Sequence, residues 1–236
     1  MNINIELLLA VNAFARSTPW LQPLMLLYST VAGFVVFSEL MLAGWWVGRR
    51  RSDLSRVAAA IWTPAGMLLA LAINQPISKV LAEPRPYLLY PDLWTTSVHS
   101  LAPGFPSDHA VLAGAVTASL FLVSRSLGWV SLLAAVVMAF SRVYVAEAYP
   151  FDVLVGLPLG AALSLIGFVV VRRILVRLLR MADSTIFRSL VTATPRPPKP
   201  VHLPPPPPEP QPEPALSAPA PARSADKQLA EVEGEA

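Results

Sequence analysis

Gly104-Phe105-Pro106-Ser107-Asp108-His109 is the stretch on which the reading of this chain turns. A polar, proline-broken segment precedes it, and an apolar run begins at Ala110. Pro followed by Ser and Asp is how a helix starts: proline suits the first turn, and the short polar side chains cap it. The first N–H groups of a helix are unpaired and the dipole there favours negative charge, so such a mouth can hold an anion. A serine hydroxyl and an imidazole at the same mouth add donors. Two readings stand at this point, a plain helix cap with an incidental His109, or an anion site. The residues on either side separate them.

The 236 residues are 54% hydrophobic and only 14% charged, with a mean hydropathy of +0.54. That is a membrane composition. Cysteine is absent, which excludes disulfides, thiolate metal sites and a thiol nucleophile. The net charge of +3 conceals an asymmetry: residues 1–182 hold 13 Lys/Arg and 8 Asp/Glu, whereas residues 183–236 hold 5 and 7. The basic half is the apolar half, so its charge reads as membrane topology and not as nucleic-acid binding. The N-terminus has neither a basic leader nor a small-residue cleavage site and is not read as a removable signal.

Apolar runs then lay out the chain. Residues 3–15 are too few to span and predict an interfacial amphipathic helix. Spans are expected over about 20–47, 57–77, 109–123, 127–145 and 152–171, divided by Arg49-Arg50-Arg51, a long loop at 87–108, Ser124-Arg125-Ser126 and Glu147 to Pro150. Trp20, Trp45 and Trp46 sit where interface anchors sit. Glu39 falls inside the first span; it is either a functional acid or a side chain satisfied near the headgroups or within the bundle. The expected fold is an all-α integral membrane bundle of five spans plus the N-terminal interfacial helix.

With five spans, Arg49, Arg50, Arg51, Arg56, Arg125, Arg172, Arg173, Arg177 and Arg180 share one side. The positive-inside rule makes that side cytoplasmic and the C-terminus with it. Lys79, Arg85 and Arg142 then share the outer face with Ser107 and His109. Three cations, a hydroxyl, a helix N-terminus and an imidazole make the inventory of a phosphate site. Snorkelling to water accounts for each cation singly but not for their convergence.

These residues resemble the type 2 phosphatidic acid phosphatase (PAP2) superfamily, related to vanadium haloperoxidases. Its first motif, Lys, a spacer of about six, then Arg-Pro, is matched by Lys79, five residues and Arg85-Pro86. Its second, Pro-Ser-Gly-His, is matched by Pro106-Ser107-Asp108-His109. Its third, Ser-Arg, five residues, His, three residues, Asp, is matched by Ser141-Arg142 and Asp152. The resemblance covers about residues 20–172. Asp108, the Glu83-Pro84-Arg85-Pro86 run and His99 are most similar to the bacterial undecaprenyl-diphosphate phosphatase branch. It implies a bacterial-type plasma-membrane protein acting on a lipid phosphate or prenyl diphosphate, without a metal or other cofactor. Lys79, Arg85 and Arg142 would clamp phosphate oxygens. Ser107 and the backbone near Asp108 would add hydrogen bonds, and His109 would protonate the leaving oxygen.

One position departs. Where the third motif places its nucleophilic His, this chain has Ala148; Asp152, which would orient that ring, is retained. The resemblance therefore implies the phosphate site but leaves two functions open, a phosphatase with an altered nucleophile or a pseudophosphatase that binds a lipid phosphate as a scaffold or transport component. Of the three His, His109 has its own role, His202 is in the tail, and His99 in the outer loop is read as a loop or substrate residue. Two readings of Glu147 stand, activation of water in the space left by Ala148, or a side chain turned to solvent, since neighbours on a helix lie about 100° apart.

Residues 1–182 form the membrane domain and 183–236 a separate tail. Residues 195–221 include 14 Pro, too little apolar side chain to bury a core, so a disordered tail with polyproline character is expected. Its PxxP spacings admit an SH3-like partner; a solvated tail without a partner is the simpler reading. Sequence alone sets no oligomeric state.

Overall fold

A chain this apolar must satisfy its backbone internally, and helices do so within each segment. In the computed structural model, which describes residues 2–51, 53–95 and 103–183, every regular element is helical. They are α1 (Ile3–Ser17), α2 (Gln22–Arg50, with a π-helical turn over Tyr28–Ala32), α3 (Leu54–Leu81), α4 (Pro86–Leu89), α5 (Asp108–Val123), α6 (Arg125–Tyr144) and α7 (Pro150–Asp183). The predicted tail falls outside the described residues.

Among the described residues, four segments are long and apolar enough to cross a membrane: Gln22–Arg50, Leu54–Leu89, Arg125–Tyr144 and Pro150–Ala182. The chain is an integral membrane protein. The fifth expected span, α5, has only 16 residues, roughly 24 Å at 1.5 Å per residue. Its apolar side chains point all round because it is the centre of the bundle, packed on α3, α6 and α7 and more lightly on α2. Val111, Ala115, Val116 and Leu120 on it are wholly buried.

The α5–α7 crossing is the closest in the bundle. A Cβ on Gly114 would overlap the carbonyl oxygen of Leu157, and one on Gly160 would overlap that of Val111. Small residues let membrane helices approach backbone to backbone, where dispersion contacts replace the missing hydrophobic drive. Hydroxyl pairs add hydrogen bonds between helices, Thr117 with Ser131 at 2.8 Å and Ser119 with Ser164 at 2.7 Å. The α5–α7 crossing begins at the N-termini of both helices, so Ser107, His109 and Asp152 meet at one end. Arg56 Nη1 donates to the Val123 carbonyl at the opposite end (3.4 Å), where α3 starts and α5 stops.

Helix α1 caps the Ser107 end. Asn4, Leu8, Asn12 and Ala15 form its buried face. Asn4 Oδ1 accepts from the Phe151 N–H (3.0 Å), and Asn12 exchanges two hydrogen bonds with the Trp94 backbone (2.8 and 3.1 Å). The predicted interfacial helix is thus tied to the loops around the helix mouths.

Candidate functional site

The site is shaped first by how α6 ends. After Tyr144 the chain reaches Ala146 at φ 56°, a left-handed conformation that costs a residue with a Cβ about 1–2 kcal/mol. The Ala146 N–H donates to Val143 O (3.0 Å) and the Glu147 N–H to Arg142 O (3.0 Å). These are the two bonds of a Schellman helix end, which folds the residue after the left-handed one back over the residue five earlier. The contact there is usually apolar. Here it is Glu147 on Arg142.

The Glu147 carboxylate sits between two guanidiniums. Its Oε2 accepts from Arg85 Nη1 at 2.9 Å and from Arg142 Nη2 at 3.1 Å. All three side chains are only 7–12% exposed, so the charges are largely out of water and held by one another. Arg85 also donates to the Glu147 carbonyl (3.2 Å). Arg85 is positioned by the end of α3: Ala82 turns left-handed, the Glu83 carbonyl accepts from the Gly104 N–H (2.9 Å), and Pro86 starts α4. A Cβ on Gly104 would lie 3.3 Å from Arg85 Cγ and 3.5 Å from Asp152 Oδ2, so the glycine lets the loop close over both.

The second motif lies across this cluster. Ser107 is the N-cap position of α5 but its side chain makes no cap bond, and its N–H donates to the Asp152 carbonyl (3.3 Å). Asp108 is held from α3, Asn74 Nδ2 donating to its Oδ1 (2.7 Å) and Gln75 Nε2 to its Oδ2 (2.9 Å). Asn74 also donates to Pro106 O (3.1 Å). The His109 ring is half-buried against Phe34, centroids 5.2 Å apart, within electrostatic reach of Arg142 and Arg85.

Among the described residues, three buried polar atoms here have no partner, Asn74 Oδ1, Arg142 Nε and Asp152 Oδ1. Asp152 is 1% exposed, and its other oxygen accepts from the Tyr149 N–H (2.8 Å). Ala148, also 1% exposed, belongs to an apolar cluster with Leu8, Leu93, Ala110 and Val153. Buried polar atoms are nearly always satisfied, and an orphan calls for a reason. Beside them, burial above all, together with the acidic groups of Tyr90, Glu83 and Asp152 nearby, pushes the Tyr149 phenol up to about 12, which keeps it neutral.

The structure brings Arg85, Ser107, Asp108, His109, Arg142, Ala148 and Asp152 to one end of the bundle. Lys79 is at that end too, in the last turn of α3, but its side chain is exposed. The spacer between Lys79 and Arg85 is one residue short of the motif's six, and the buried Ser78 holds the position that six would reach. One residue on a helix is a 100° turn, which accounts for Ser78 being buried where Lys79 is exposed. Glu147 was legible only as one of two alternatives, and the structure bears on one of them: residues 145–149 are not helical and Glu147 is buried, not turned to solvent. Glu39 is exposed on α2 and takes no part. His99 and His202 lie outside the described residues. Among the described residues no three His, Asp or Glu side chains gather closely enough to hold a metal ion.

Comparison with known proteins bears on family and fold. The model of the PAP2 superfamily matches residues 59–175. Undecaprenyl-diphosphatase BcrC of Bacillus subtilis is 30% identical over 171 residues, 70% of this chain and 83% of the relative. The bacitracin transport permease protein BcrC of Bacillus licheniformis is 24% identical over 166 residues, 70% of this chain and 79% of its own length. Among solved structures, Aquifex aeolicus LpxE superposes with a TM-score of 0.55 at 21% identity, covering 70% of this chain and 94% of that one; that likeness is one of fold.

Proposed function

This chain belongs to the PAP2 superfamily, and from that premise we propose that it binds the phosphate head of a lipid phosphate or prenyl diphosphate at the outer membrane face without forming a phosphoenzyme. The observation that carries this reading is the pair of buried guanidiniums, Arg85 and Arg142, aimed at one anionic oxygen beside the orphaned Asp152 Oδ1 and the alanine at position 148. Guanidinium forks suit phosphate as they suit carboxylate. Arg142 Nε remains as a further donor, and Ser107 and the start of α5 supply N–H and hydroxyl groups on the facing side. In this reading His109 is the residue that would protonate a leaving oxygen. The binding apparatus is present, and the attacking atom is not.

Two lines of support bear on the ligand. The clamp lies at the membrane end with few basic residues, which the positive-inside rule assigns to the outside with the C-terminus cytoplasmic. The BcrC relative of B. subtilis is named for undecaprenyl diphosphate, an anionic head on a prenyl chain, and apolar helices flank the site here. Water attacking directly under Glu147 is the competing reading. The Glu147 carboxylate is engaged by Arg85 and Arg142 at 2.9 and 3.1 Å and not aimed at open space, which favours binding without turnover.

The test is orthovanadate or inorganic phosphate binding to detergent-solubilised protein by calorimetry, with Arg142→Ala as control, beside phosphate release from undecaprenyl diphosphate and phosphatidic acid. The expected result is binding that Arg142→Ala removes, with release near background. Rapid release by the unaltered chain overturns the non-covalent reading; absence of binding overturns the phosphate site.

A further inference from the structure

Resting on the phosphate-site reading, we infer that Glu147 is an internal competitor for the phosphate seat: the ligand-free chain fills its own clamp with a carboxylate, and an oxyanion binds by displacing it. Glu147 Oε2 lies where a non-bridging phosphate oxygen would be held, 2.9 Å from one guanidinium and 3.1 Å from the other. The placement is enforced by the backbone. The left-handed Ala146 and the Glu147 N–H bond to Arg142 O turn residue 147 back over residue 142, so the carboxylate reaches the seat without a long excursion.

Charge makes the two occupants exclusive. Two guanidiniums and one carboxylate leave a single positive charge in the clamp. A phosphate added beside Glu147 would bury two anions on two cations, with Asp152 close by, and like charges out of water cost heavily. Departure of Glu147 restores both positive charges to the ligand. Leaving is feasible because the anchors divide: Arg85 Nη1 holds the Glu147 carbonyl as well as the carboxylate. The backbone can stay while the side chain rotates. Arg142 Nε, unpaired with Glu147 in place, gives a tetrahedral ligand one donor that the carboxylate does not use. The consequence is a threshold: only an oxyanion able to outcompete an intramolecular carboxylate, such as a doubly charged phosphate head, is held.

Orthovanadate binding by calorimetry to the full chain in detergent, compared with Glu147→Gln and Glu147→Ala, tests this. Both variants are expected to bind at least tenfold more tightly, about 1.4 kcal/mol, and Arg142→Ala in the Glu147→Gln background is expected to lose that binding. Circular-dichroism melts establish that each variant is folded, and the second substitution covers failure of the first. Equal or weaker binding by folded Glu147 variants, with the unaltered chain still binding through Arg142, overturns the competitor and leaves the phosphate site standing. No binding by any of them overturns the phosphate site and the competitor together.

Discussion

Ala148→His puts back an imidazole where the third motif has one, and its effects on stability and rate separate. Asp152 Oδ1 is buried without a partner, and satisfying such an atom is worth about 1–3 kcal/mol. Against this, Ala148 is 1% exposed among Leu8, Leu93, Ala110 and Val153, and crowding a packed site costs about 1–3 kcal/mol. The two nearly cancel, so the melting temperature is expected to move by only a few degrees. Rate has no such cancellation. A covalent nucleophile is worth on the order of 10⁴–10⁶ when its neighbours are in place, and a misplacement of about 1 Å removes roughly a hundredfold. With Arg85, Arg142 and His109 assembled, the expected gain in lipid-phosphate release is about 10²–10⁴. The assay is phosphate release from undecaprenyl diphosphate and phosphatidic acid in detergent, by the parent, Ala148→His, and Ala148→His with Asp152→Asn. The triple comparison isolates the ring from the crowding, because Asp152→Asn removes the orienting carboxylate and should cancel most of the gain. A parent as fast as Ala148→His refutes the reasoning and directs attention to Glu147 and His99 as attacking groups.

Other outcomes follow from the packing. Gly160→Leu drives a side chain into the Val111 carbonyl and should destabilise the bundle by about 1–3 kcal/mol or more, read as a lowered melting temperature in detergent; an unchanged melt would remove the close α5–α7 crossing. Ala146→Gly relieves a left-handed residue and should stabilise by up to about 1 kcal/mol, with vanadate affinity retained. Asn74→Ala cuts the bridge to Pro106 O and Asp108 Oδ1 and should cost about 1–3 kcal/mol. The chain has no cysteine, so single cysteines report topology directly: Asp92→Cys should react with an impermeant maleimide on intact cells, and Arg51→Cys only after permeabilisation. Deleting residues after Ser189 should leave membrane insertion and the melt unchanged.

Membership of an all-helical membrane fold was legible because composition and run length speak directly: apolar segments near twenty residues have few other solutions. The motif residues were legible as well, since Arg85, Ser107, His109, Arg142 and Asp152 are spaced by the helix ends that carry them. Span lengths were less so. The 16-residue α5 looks like a short span in sequence, and only its position inside the other helices explains how so short a helix is apolar all round.

Sequence by itself determined the inventory: which charged groups exist, that residue 148 is Ala, and that there is no cysteine. The tertiary structure decided which of them meet. A one-residue difference in the spacer leaves Lys79 exposed, since each helical residue turns the side chain by about 100°. A left-handed Ala146, favoured by the two backbone bonds of the α6 end, folds Glu147 onto Arg142 and Arg85. Neither rotation nor fold-back has a strong local signature, because each is fixed by where a helix stops, and helix ends are set by the packing of whole helices and not by the propensities of the few residues involved.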